Sequence, residues 1–439
     1  MGIPLLTDKY ELTMLQAALA HGSAERNCVF EVFTRRLPAW RRYGVVAGTG
    51  RFLQALQEFT FAPEDLEYLA AEGTLNDATL SYLENYRFTG NIRGYAEGEV
   101  YFPHSPILVV EAPFAQAVLL ETLILSIFNF DSAIASAASR MTAAAGNRPC
   151  LEMGARRAHE QGAVAAARAA VIAGFKGTSN LEAGRIYDIP VIGTSAHAFT
   201  LLHDSEEEAF TAQVSALGVG TTLLVDTYDV TAGVNTAIRV AGTELGAVRL
   251  DSGDLGEQAI EVRKQLDSLG AKNTLITVTS DLDEHAIAAL AAAPVDSYGV
   301  GTQLVTGSGA PTSSMVYKLV SRENADGQMQ SVAKASASKT SLGGLKAAAR
   351  QLNTSGTATA ELVGVGDQDS IAQWLRDSSD CRPLHIDLVT NGVINEDLVG
   401  PGAVRLAAKR HEASRAELPR YALRLSTGDE AIPTNVIEL

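Results

Sequence analysis

A chain of 439 residues with 46% hydrophobic content can bury a large core and should divide into two or three domains. Its net charge of -16 argues against a nucleic-acid or anionic-membrane surface, where affinity comes from an excess of Lys and Arg. Cys28, Cys150 and Cys381 are too far apart in sequence for a disulfide framework or a Cys-based zinc site, so no protein metal site is expected.

The first residues carry no basic region followed by an apolar core, so the expectation is a soluble, cytoplasmic chain without a signal peptide. Residues 5–20 have the pattern of an amphipathic helix, with Thr7 or Asp8 available as N-cap and Gly22 as its stop. Within it, Tyr10 reads as a half-buried aromatic. Val29 to Phe33 resembles a strand, followed by Arg35, Arg36, Arg41 and Arg42, which suit either a solvated face or an anion clamp. From Gly90 to Pro113 the period falls to two and Gly and Pro punctuate the run, which predicts strands pairing near the N-terminal one. Ala115 to Phe130 is broken by Glu121 and Asn129 and reads as a buried helix too short and too polar to span a bilayer. The alanine-rich run Ser132 to Ala145 leads on from it.

Seven short apolar runs then end in small or charged residues: Cys150–Arg156, Ala173–Asn180, Ile189–Phe199, Thr221–Asp229, Ala247–Asp254, Leu275–Asp281 and Val295–Gln303. Each precedes a segment of helical character. This predicts an irregular parallel β/α barrel of about seven strands, with chemistry at the strand C-termini. The barrel is expected over residues 132–318, after an α+β domain over 1–131. A mixed α/β segment over 319–439 is expected to pack on the N-terminal domain; it has a hairpin signal at Asn391-Gly392, a helix pattern over Val404 to Leu418 and a Ser/Lys/Gly-rich stretch from Ser331 to Gly344.

The strand ends supply the candidate site. Arg249 and Asp251 alternate onto one face, as do Glu152, Gly154 and Arg156, and Gly177 and Ser179; the glycines leave room for a flat ligand. Asp281 suits a sugar diol, while Ser280 or Asp281 suits equally the cap of the next helix. Gly301 and Thr302 end the last strand where backbone amides can meet a phosphate. Lys176 offers Schiff-base chemistry, ranked second because alternation sets it opposite Gly177 and Ser179. His197 follows small residues, with Thr194 and Ser195 near it and Asp226 or Asp229 able to orient its ring.

In this order, several segments together resemble the nicotinate phosphoribosyltransferase family of type II phosphoribosyltransferases. They are Leu6-Thr7-Asp8-Lys9-Tyr10-Glu11-Leu12-Thr13-Met14, Leu120-Glu121-Thr122-Leu123 with Asn129-Phe130, Glu152-Met153-Gly154-Ala155-Arg156-Arg157-Ala158, Gly193-Thr194-Ser195-Ala196-His197-Ala198-Phe199, Arg249-Leu250-Asp251-Ser252-Gly253-Asp254 and Met315-Val316-Tyr317-Lys318-Leu319. The resemblance implies an ATP-coupled enzyme of NAD biosynthesis. It would form nicotinate mononucleotide and diphosphate from nicotinate and 5-phosphoribosyl 1-diphosphate, with Mg2+ accompanying the phosphates. It further implies that His197 is phosphorylated by ATP, with Asp226 beside it. Met153, Arg156, Ser179 and Arg249 would surround nicotinate, Asp251 and Asp281 the ribose, and Gly301 and Thr302 the 5′-phosphate. Arg35 and Lys318 would contact diphosphate or phosphate, and Tyr10 would reach the ring from the partner subunit of a homodimer. Related nicotinamide enzymes carry an aspartate where this chain has Ser179 and an aromatic where it has Met153; loss of that carboxylate favours an acidic base over its amide. The alternatives are nicotinamide phosphoribosyl transfer and a barrel that binds nucleotides without turnover. The region after Lys318 departs most from the family: Lys334, Lys339, Gly343, Gly344 and Lys346 are present without the usual proline.

Overall fold

The computed structural model describes residues 3–334 and 342–439, so Lys339 of the lysine-bearing stretch lies outside the described residues. The chain forms two compact units, Met1–Ser136 with Ala310–Leu439, and Ala137–Gly309.

The first unit is α+β. Its seven-stranded antiparallel sheet runs in the order Met329–Ser331, Met315–Glu323, Asn27–Thr34, Leu108–Pro113, Asn91–Tyr95, His385–Thr390, Val393–Ile394. The strand Asn27–Thr34 is buried at every position but its first, as befits a central strand paired on both sides. Of the period-two run, Leu108–Pro113 pairs directly with it and Asn91–Tyr95 lies one strand further out, near it as the sequence predicts. Asn391 and Gly392 both take positive φ, 48° and 77°, and close the predicted hairpin. A smaller sheet orders Cys381–Pro383, Leu345–Leu352, Ala358–Gly366 and Thr434–Glu438. On it Arg350, fully buried, pairs with Glu99 at 2.9 Å and Glu361 at 2.6 Å, while Arg382 joins Glu99 to Glu417.

The N-terminal helix is Lys9–His21, stopped by Gly22 in the left-handed conformation. Asp8 stands at the cap position without a side-chain bond, and Thr7 donates instead to Glu11. Glu11 is fully buried and accepts from both the amide and the hydroxyl of Thr122, fastening this helix to the start of Glu121–Ala145. Asn129 likewise receives the amide of Met315 at 2.7 Å and donates to its carbonyl. The expected helix Ala115–Phe130 and the run Ser132–Ala145 prove to be parts of one helical stretch, Phe114–Ala145, long and apolar enough to cross a membrane by length and composition but mostly buried inside the fold. Its polar side chains are used internally: Asp131 pairs with Arg51, and Ser132 and Ser136 accept from Ala47 and Val45 amides.

The second unit carries a parallel sheet of five strands in the order Cys150–Glu152, Ser297–Val300, Leu275–Ser280, Ala247–Leu250, Thr222–Leu224. The two other expected strands are reduced to single bridges: Thr178 pairs with Glu152 and, on its other side, with Val191. Gly174, Gly177, Pro190 and Gly193 in these segments are poor strand formers, which limits each to one rung. A buried ion pair, Arg140 with Glu284 at 2.9 Å, ties the last turns of the long helix to the helix Glu284–Ala289.

Candidate active site

Residues following the parallel strands converge on His197, the first residue of the helix His197–Leu202. Its side chain is 40% exposed, and Nε2 lies 3.9 Å from both Asp226 Oδ1 and Asp251 Oδ2. On the other edge of the ring, Nδ1 is 3.1 Å from Thr227 Oγ1, a pair in which either atom can donate. Asp226 is 2% exposed. Its Oδ2 accepts from the Asp251 amide at 2.8 Å and from Ser252 Oγ at 2.9 Å, while its buried Oδ1 has no hydrogen-bond partner and faces the imidazole. The alternative neighbour, Asp229, is taken up as the N-cap of Val230–Ala241, accepting from the Ala232 amide.

Arg249 donates from Nη1 to Thr194 Oγ1 at 2.8 Å and its buried Nε has no partner. Burial pushes its guanidinium below the ordinary arginine value, with Arg156 adding in the same direction against the pull of Asp251 and Asp226. Arg156 is exposed in the short turn Ala155–Arg157 and pairs with no carboxylate. Arg249 thus stands beside the carboxylates and feels the charge of Arg156, a setting that suits an anionic ligand.

Asp281 is exposed and accepts no hydrogen bond from the described residues; the cap of Glu284–Ala289 is Asp283, which accepts from the amides of His285 and Ala286. Of the two readings open for Asp281, capping is therefore not the one used. Gly301 caps the four-residue turn Thr302–Val305, and the Thr302 carbonyl accepts from Thr306. Ser179 is exposed at the end of its segment, with its amide bonded to the Glu152 carbonyl. Met153 donates its amide to the Val300 carbonyl, and its sulfur lies against Gly299.

Two expectations need correction. Gly154 and Gly177 do not leave space for a flat ligand: a Cβ on the first would meet Val305 Cγ1 at 2.2 Å, and on the second the Pro190 carbonyl at 2.7 Å. They serve close packing. Glu152, on the face once read toward the ligand, is fully buried and spans two strand ends, accepting from Gly154 and Thr178; burial raises its pKa against those bonds. Lys176 is exposed, and its amide pairs with the Cys150 carbonyl at the start of the neighbouring strand, the end opposite the one where Ser179 pairs with Glu152. That placement removes the Schiff-base reading.

Tyr10, Arg35 and Lys318 belong to the first unit. Tyr10 is 43% exposed, and burial of its hydroxyl edge together with Glu121 pushes its pKa up. Arg35 lies over the Phe33 ring at 5.9 Å, and Lys318 donates to the Tyr317 carbonyl. The arginine group of this region divides: Arg41 is buried and Arg42 is held by the carbonyls of Ser426, Thr427 and Asp429. Lys346 is buried in a pair with Glu31 at 2.7 Å. Thr227 and Thr279 were missed by the reading of the sequence; Thr279, with Thr277, marks a polar face in an otherwise apolar strand, and that alternation was the available signal.

Comparison with known proteins fits this geometry. Residues 5–129 match the family model of the nicotinate phosphoribosyltransferase N-terminal domain, and residues 149–358 that of the nicotinate phosphoribosyltransferase family. The chain is 55% identical over 441 residues to nicotinate phosphoribosyltransferase pncB1 of Mycobacterium tuberculosis, covering 99% of this chain and 95% of that one. To the nicotinate phosphoribosyltransferase of Bacillus subtilis it is 40% identical over 365 residues, covering 80% and 74%. The crystal structure of human nicotinic acid phosphoribosyltransferase superposes with a TM-score of 0.81 at 24% identity, over 99% of this chain and 97% of that one, and so shares the α/β fold.

Proposed function

The chain belongs to the nicotinate phosphoribosyltransferase family, and from that membership we propose how this enzyme of pyridine-nucleotide biosynthesis uses the site. Nicotinate attacks C1′ of 5-phosphoribosyl 1-diphosphate through its ring nitrogen; the bond from C1′ to the diphosphate oxygen breaks and diphosphate leaves with the electron pair. The pyridine nitrogen carries its own lone pair and needs no general base. Catalysis therefore rests on positioning and on stabilising an oxocarbenium-like centre and a departing anion. Arg156 and Arg249 take the nicotinate carboxylate, Met153 walls the ring, and Ser179 avoids the repulsion an aspartate would bring. Asp251 and Asp281 hold the ribose hydroxyls, and the amides around Gly301 and Thr302 take the 5′-phosphate.

ATP drives the cycle by phosphorylating His197, whose phosphoramidate is then hydrolysed. The single observation that carries this reading is the setting of His197: a half-exposed imidazole with one edge on Thr227 and the other facing Asp226 and Asp251, beside Arg249. The unpartnered oxygen of Asp226 faces Nε2 and can orient the ring by accepting its N–H. Magnesium would enter with ATP and the diphosphate sugar, where it would neutralise phosphate charge. The contacts Thr194 to Arg249 and His197 to Thr227 link the segment after Val191 to the last two strands at the other side of the sheet, which supports a closed barrel of seven segments. The same reading makes the active form a cytoplasmic homodimer. The ligand contacts of Tyr10, Arg35 and Lys318 rest on the resemblance alone.

The test is incubation with γ-labelled ATP. Acid-labile phosphate is expected on the wild-type protein, discharged by the two substrates together, and absent from His197→Asn. Absence of label, with no ATP stimulation of mononucleotide formation, overturns the phosphohistidine step.

A further inference from the structure

Thr279 stands near the end of the strand Leu275–Ser280 and is 5% exposed. Its hydroxyl donates to Asp251 Oδ1. The backbone of Asp251 is fixed independently, its amide bonded to Asp226 Oδ2 at 2.8 Å. One main-chain bond holds the Cα but leaves the carboxylate free to rotate about χ1 and χ2. The Thr279 hydroxyl removes that freedom: with Oδ1 committed, Oδ2 is the oxygen directed at His197 Nε2, 3.9 Å away. The Asp251 side chain is itself 40% exposed, so water would compete for any orientation not enforced from the buried side.

The next strand holds Thr279 in turn. Gly299 is its register partner, and a Cβ there would meet Thr279 Cγ2 at 2.4 Å and Met153 Sδ at 2.7 Å. The threonine methyl and the methionine sulfur thus occupy the space over a residue that has no side chain. The hydroxyl, on the other branch, reaches Asp251. A β-branched residue at this position is already confined in χ1, so little further entropy is lost in aiming it.

We propose that Thr279 is a positioning residue for phosphoribosyl transfer: it orients the Asp251 carboxylate so that its free oxygen meets the ribose hydroxyls of the diphosphate sugar. The inference rests on the reading of Asp251 as a ribose ligand. It predicts a defect that falls on the sugar and not on nicotinate, because on that reading Asp251 touches the sugar while Arg156, Arg249 and Ser179 surround the base.

The test compares Thr279→Val, Thr279→Ser and Asp251→Asn in steady-state kinetics, with thermal unfolding of each. Thr279→Val keeps shape and removes the hydroxyl. Loss of one hydrogen bond to a charged group corresponds to roughly tenfold to a hundredfold. We expect that rise in KM for phosphoribosyl diphosphate with KM for nicotinate unchanged, and recovery to within about threefold in Thr279→Ser. Thr279→Ala, which opens space rather than exchanging a methyl for a hydroxyl, gives the same split if the valine variant does not fold. An unchanged KM in the valine or alanine variant with Asp251→Asn impaired overturns the role of Thr279 and leaves the ribose reading standing. Equal rises for both substrates, unrescued by serine, also overturn it. Wild-type kinetics in Asp251→Asn would overturn the ribose reading and the proposal with it.

Discussion

Ser179 and Asp226 are each one atom-scale choice on which chemistry depends. On the proposed function, the Ser179 hydroxyl at the end of its segment stands where a carboxylate would repel an acidic base. Ser179→Asp is expected to lower kcat/KM for nicotinate by about a hundredfold or more, since apposed like charges cost several kcal/mol, while amide turnover rises or holds. Competition between the two bases measures it; an unaltered preference would remove Ser179 from the site. For the histidine, strand pattern alone offered Asp226 or Asp229, three residues apart after one strand, and the family resemblance pointed to Asp226. Helix capping separated them, because the amides at the start of Val230–Ala241 claim Asp229 and leave a buried Asp226 oxygen free to face the ring. The same competition decided between Asp281 and Asp283.

At the scale of elements, short stretches of sequence that carry no reactive group turn out to be fasteners. Glu11 is fully buried and satisfies the Thr122 amide and two hydroxyls. Burial raises its pKa despite those bonds. Glu11→Ala leaves those donors unpaired in the interior, and should lower unfolding free energy by about 2–4 kcal/mol by denaturant titration, with the reaction's KM values little changed in the folded fraction. Asn129 does the corresponding work for the strand Met315–Glu323. Periodicity located the helix and strands that these residues join. It could not pair them, because Glu11 and Thr122 are 111 positions apart and nothing local encodes the contact.

For the molecule as a whole, acid stability depends on neutral groups sealed inside. His411, 2% exposed on the helix Gly400–Ala416, has its pKa pushed down to about 3, first by burial and then by Arg415. The unfolded chain binds a proton near pH 6.5 that the folded chain refuses until about pH 3. Stability from this group is therefore full above pH 6.5 and is lost as pH falls toward 3, by up to about 1.4 kcal/mol per pH unit. His411→Leu should flatten the dependence of unfolding free energy on pH between 6.5 and 4; an unchanged slope would show that other groups set it. By itself the sequence determined the α/β class, the order of the strand ends and the residue types at each, because local periodicity and turn chemistry act between neighbours in the chain. Only the tertiary structure decided which aspartate faces His197, which glycines serve packing and which threonines aim the carboxylates. Those choices are settled by competition between buried donors and acceptors brought together from distant parts of the chain.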